Sequence, residues 1–181
     1  MSRRPALTHF GVVLTAFALV QVAARSEDVA KPAGSIELSA SDQKTQIITA
    51  ENLRELPRTE VEVREKDGST SKYSGVEMAC LLDKLGVPRG EKLRGKWMQR
   101  FVVVEAADNY RVVFALPEFD SAFTDRKIIL ADSRNGEPLA ENTGPFQIIS
   151  PSEGRHARWV RMATAIRIAE VPSEAESAEA H

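Results

Sequence analysis

The residues best suited to hold a ligand stand together near the C-terminal end: Arg155, His156 and Arg158, three cationic or titratable side chains within four positions. A guanidinium presents a planar fork of donors that matches a phosphate or carboxylate bidentately, and an adjacent imidazole adds a donor or an acceptor. Such a cluster suits capture of an anion. The competing reading is a solvated turn with Trp159 as core. Nucleophilic catalysis finds no support, because the chain shows no nucleophile elbow and no phosphate-cradling Gly loop. His156 is the one histidine of the expected folded region, and no second His, Cys or paired carboxylate completes a zinc set. Glu118, Asp120 and Asp125 gather around a short turn and read as a solvated acidic face rather than an organised calcium site. Cys80, the single cysteine of the chain, sits among Met78, Ala79 and Leu81 and reads as a partly buried helix residue.

These residues need a frame to position them. Thr45–Thr49 reads as a short strand, and 50–56 as a short helix closed by Pro57. Thr59–Glu65 alternates polar and apolar residues with period two, Asp67-Gly68 makes a hairpin turn, and Ser69–Tyr73 returns. Val76, Ala79, Leu82 and Leu85 then fall at helical spacing from Gly75 on, with Gly86 as left-handed C-terminal residue and Pro88 blocking continuation. Further strands are expected over Phe101–Glu105, Tyr110–Leu116, Lys127–Ala131, Pro145–Ile149 and Ala163–Val171, with one helical turn at Pro117–Phe123. Many short strands with a few short helices predict an α+β fold with a mixed, largely antiparallel sheet. The lack of regular strand–helix alternation argues against a doubly wound one.

The order of these pieces resembles a known family. Ile48–Pro57, Tyr73-Ser-Gly-Val76 running into Leu81-Leu82 and Leu85-Gly86, and Ala107-Asp-Asn-Tyr110 with Val112-Val-Phe114 resemble, in order, segments of the oxidoreductase molybdopterin-binding domain. So do Leu130-Ala131, Asn135-Gly136-Glu-Pro-Leu139, Gly144-Pro145 closing at Pro151, and His156-Ala-Arg-Trp159. The resemblance spans roughly 45–170 and implies the β-rich fold of sulfite oxidase. It also implies that the Arg155, His156 and Arg158 segment lies near a pterin, with Arg158 replacing the family's lysine and Asn109 its glycine.

In that family a protein thiolate, placed before the Tyr-x-Gly-Val segment, helps hold molybdenum. Here the corresponding stretch, Arg64–Thr70, contains no cysteine, and Asp, Ser or Lys does not replace a soft thiolate without changing the metal. A molybdopterin cofactor is therefore implied by resemblance while its metal ligand is missing. The expectation is a non-catalytic module that binds a pterin, another small anionic ligand or a protein partner in the cell envelope. The alternative is a periplasmic oxidoreductase, or its subunit, with an altered metal ligand.

The ends of the 181-residue chain are of another kind. Arg3 and Arg4 precede an uncharged stretch to Ala24 that is nearly all apolar from Phe10 to Val20, and Val22-Ala23-Ala24 offers a cleavage site. This is the layout of a secretory signal peptide over 1–24, with no stable membrane span once cleaved. Ser2-Arg3-Arg4 with Leu7 partly matches a twin-arginine signal, with Ala6 where a large apolar residue is usual. Residues 25–44 read as a linker and first short segment, 45–171 as the domain, and 172–181 as an acidic disordered tail. Without Arg3 and Arg4 the 24 basic residues fall to 22 against 26 acidic, a formal charge of −4 that offers nothing to nucleic acid. A periplasmic or secreted location is expected, and one cysteine leaves the fold independent of intramolecular disulfides.

Overall fold

The computed structural model describes Pro32 and residues 34–172 except positions 42 and 66. The expected signal peptide, and the expected tail beyond Pro172, lie outside the described residues. In chain order the elements are β1 (Ser35–Ala40), β2 (Gln43–Thr49), α1 (Ala50–Arg54), β3 (Arg58–Arg64), β4 (Thr70–Glu77), α2 (Met78–Lys84), β5 (Arg100–Ala106) and β6 (Arg111–Ala115). They continue with β7 (Ile129–Arg134), β8 (Glu137–Pro138), β9 (Gln147–Ile149) and β10 (Ala163–Glu170). Short 3-10 turns occupy Gly90–Lys92, Gly95–Gln99, Leu116–Phe119 and His156–Arg158. No helix among the described residues is long and apolar enough to cross a membrane.

The fold is β-rich α+β, as expected, in two sheets. One runs β2-β1-β10-β5-β6; the other runs β3-β4-β7-β8, with β9 also paired to β7. β1 and β10 are parallel and the other described pairs antiparallel. β1 lies within the stretch expected as linker and first segment, yet Ile36 and Leu38 are fully buried. Its apolar residues do alternate with period two, but two serines and a glutamate in six positions mask the signal.

Local chemistry accounts for several boundaries. Thr49 caps α1 by accepting from the Asn52 N–H at 3.2 Å, while Asn52 Oδ1 accepts from the Thr49 N–H at 3.3 Å. The helix expected from Gly75 begins instead at Met78, because β4 runs on through Gly75 and Val76 to pair with Ala131 and Leu130 of β7. Gly86 takes the left-handed conformation (φ 67°) that ends α2.

The second sheet is buried on both faces, and this positions the site. Val76, Ile128, Leu130 and Ile148 join the main core with the alternating residues of the first sheet. Val61, Val63, Tyr73, Ile129, Ala131, Ile149 and Trp159 form a smaller cluster on the opposite face. Gln147, two residues before Ile149 and paired with Ala131, falls on that second face by strand alternation.

Candidate functional site

A cleft of about 1080 Å³ opens beside the smaller cluster. One wall is aromatic. Tyr73 meets Trp159 edge to face, with ring centroids 5.9 Å apart at 81°. His156 stacks flat on Trp159 at 3.6 Å and 7°. Trp159 is buried, and its indole N–H donates to the Ser150 carbonyl at 3.1 Å, which fixes the ring. Tyr110 also lines the cleft, carried on a tight turn where Asn109 adopts φ 66° and Asp108 accepts from the Tyr110 N–H at 3.0 Å. The Tyr110 hydroxyl donates to the Ala157 carbonyl at 2.8 Å, tying that turn to the His156 segment.

The charges divide into spent and free. Arg134 donates to Ser71 Oγ at 2.7 and 3.0 Å and to Glu65 at 2.9 Å, and lies 5.6 Å over the Tyr73 ring. The Tyr73 hydroxyl also donates to Glu65, at 3.2 Å. Burial, then the charge of Glu65, pushes the Tyr73 phenol above its ordinary value, so it stays protonated. Arg155 and Arg161 also line the cleft; both are exposed and neither pairs with a carboxylate among the described residues. Gln147 is only 7% exposed, lines the cleft, and has no side-chain hydrogen-bond partner among the described residues.

Of the three residues expected to bind a cofactor, Arg155 and His156 line the cleft and Arg158 does not. Arg158 donates to both oxygens of Glu118, at 3.1 and 2.9 Å, and to Glu153, with its guanidinium 4.5 Å over the Phe114 ring. Its bidentate capacity is satisfied by protein carboxylates, which is its physical reason for not facing a ligand. Those hydrogen bonds, led by the one to Glu118, outweigh burial and raise its pKa further. Of the three acids expected to form a solvated face, Asp125 is exposed, but the other two are engaged instead. Glu118 holds Arg158, and the buried Asp120 accepts from the Gly90 N–H at 2.6 Å and the Ala122 N–H at 2.9 Å. No group of three potential metal ligands occurs among the described residues. Glu65, Tyr73, Arg134 and Gln147 enter the site unannounced by the sequence reading, although Gln147 is the one polar residue of Phe146–Ile149.

The sequence model of the oxidoreductase molybdopterin binding domain matches residues 35–176. The chain belongs to that family. Among solved structures it is similar to the sulfane dehydrogenase SoxCD from Paracoccus pantotrophus, with TM-score 0.58 and 20% identity. That match covers 83% of this chain but only 42% of the SoxCD chain. At this identity the likeness establishes the fold. No curated protein matches the chain.

The cleft fits the organic part of a molybdopterin better than its metal. A buried amide without a partner and two unpaired guanidinium groups suit a heterocycle with an anionic group. A soft metal ligand is absent from the walls: Cys80, the only thiol, is half-buried in α2, packs against the main core and does not line the cleft.

Proposed function

We propose that this chain is an exported, ligand-binding member of the family that works without metal–thiolate chemistry. The observation carrying this reading is the location of Cys80, which packs against the main core while the cleft walls present amide, hydroxyl, imidazole, carboxylate and guanidinium groups. The ligand is a pterin or another small anionic molecule, and a protein partner in the cell envelope is the companion expectation. The basic, apolar and small-residue order of residues 1–24 supports export to the periplasm or outside. A second reading, an oxidoreductase or its subunit with an altered metal ligand, draws on Glu65, a carboxylate in the cleft wall, and on the partial twin-arginine pattern.

Molybdenum and pterin content of the protein purified from the periplasm of its native host separates the two. Less than about a tenth of an equivalent of molybdenum in folded protein is expected. Molybdenum near one equivalent would overturn the reading and favour the second.

A further inference from the structure

Glu65 and Arg134 offset each other in the cleft lining, and its other charges, Asp108, Arg155 and Arg161, lie on exposed residues. Gln147 projects from the face of β9 shared with Ala131, Ile149 and Tyr73, and no side chain or backbone group among the described residues pairs with its amide. Its polar atoms are not sealed from the cleft, since the Ser150 hydroxyl is the fully enclosed side-chain polar atom without a partner among the described residues. A carboxamide in this state keeps its donors and acceptor open to the cleft, where a ligand can take the place of water. Such groups persist where a ligand completes them.

The nearby charge defines what that ligand is. Arg134 is held by Glu65 and Ser71, so its cation is offset before a ligand arrives. A small oxyanion sunk to Gln147 would lose hydration and meet only a neutral amide. Arg155 and Arg161 remain free of carboxylates on exposed positions. A carboxamide offers one acceptor and two donors side by side, which matches the adjacent donor and acceptor of a lactam-type heterocycle edge.

Resting on the ligand-binding reading above, we infer that Gln147 is the specificity residue of the cleft. It reads the amino-oxo edge of a planar pterin-class heterocycle, while Arg155 and Arg161 take an anionic substituent.

The test uses the full chain, with 6-hydroxymethylpterin and its phosphate ester as probes and pterin fluorescence as the readout. Gln147→Leu is expected to weaken binding of the unphosphorylated pterin about tenfold, while leaving the urea midpoint of the free protein no lower than wild type. Gln147→Asn, which keeps the amide but withdraws it by one methylene, also weakens binding. Arg155→Ala and Arg161→Ala leave the unphosphorylated probe unchanged and weaken the ester by about tenfold. Wild-type affinity for the pterin in Gln147→Leu would overturn the inference, as would a lowered urea midpoint, which would assign the amide to the fold. Failure of the wild type to bind either probe would overturn the ligand class. Each outcome is separate from the molybdenum measurement, which tests the function and not the residue.

Discussion

Replacing Gly75 with alanine sets a Cβ 2.1 Å from the Leu130 carbonyl oxygen, 2.6 Å from Ala131 Cα and 2.7 Å from the Leu130 carbonyl carbon. All three are backbone atoms of β7, so no side-chain rotation relieves the overlap. Ordinary contact begins at 3.4 Å, so β4 and β7 have to part by about 1 Å, which takes the flanking ladder hydrogen bonds out of good geometry. Two such bonds at about 1 kcal/mol each, with about 1 to 3 kcal/mol for overpacking, give a loss of roughly 3 to 5 kcal/mol. For a domain of this size that is a fall of roughly 10 to 15 °C in Tm. The same strands carry Tyr73 and Arg134 into the cleft wall, so the disturbance reaches the site as well. Urea titration and thermal melting by circular dichroism measure it. A loss below about 1 kcal/mol would show that β7 yields easily and would refute the close-approach account of this glycine.

Three other substitutions probe the supports of the cleft. Burial pushes the Glu118 carboxyl up, but hydrogen bonds from Arg158 and the Ala115 N–H, with the charges of Arg158 and Arg126, hold it below its ordinary value. A depressed carboxylate contributes fully above its unfolded value and is lost as pH falls through the folded one. The wild-type urea midpoint should therefore drop as pH falls below the ordinary glutamate value of about 4.3, and Glu118→Gln should show a smaller drop after losing about 1 to 2 kcal/mol at pH 7. Asn135→Ala should cost about 2 kcal/mol in the same titration: φ is 52° there, and its side chain accepts from the Lys72 N–H at 2.8 Å. Trp159→Phe removes the donor to the buried Ser150 segment at 3.1 Å and should cost about 1 to 2 kcal/mol, read by chemical denaturation.

Legibility in the sequence tracked how local each cause is. Val61 and Val63 alternate with charged neighbours, and their strand is visible from seven residues. The Gly86 stop of α2 and the Asn135-Gly136 turn rest on single-residue backbone preferences and are equally plain. The position of the α2 start is not, since β4 extends to Glu77 for a partner strand more than fifty residues later. Arg155 and His156 line the cleft and Arg158 does not. Its fate is decided by Glu118, 40 residues upstream, and no spacing rule connects the two. The Glu65–Arg134 contact bridges 69 positions in the same way. Gln147 left a faint local trace, one amide inside an apolar strand, and that is the kind of inconsistency to expect at a binding site.

The engagement of Arg158 strengthens the case for the cleft rather than weakening it. The segment from Ser150 to Arg161 has no regular strand and only one 3-10 turn, so its shape depends on ties to other elements. Three such ties converge on it. Arg158 anchors it to Glu118 beside β6, the Tyr110 hydroxyl holds the Ala157 carbonyl, and the Val160 carbonyl accepts from the Ile148 N–H at 2.9 Å. A loop held at three points presents Arg155, His156 and Arg161 at fixed places, which lowers the ordering entropy a ligand has to overcome. Arg158→Met would remove one tie without touching the cleft wall. Its effect on probe affinity should exceed anything expected from a distant charge screened by water. Loss of affinity for the unphosphorylated pterin, which has no charge for Arg158 to attract, would identify the effect as positioning. An unchanged affinity would mean that the Tyr110 hydroxyl and the Ile148–Val160 hydrogen bond suffice to hold the segment.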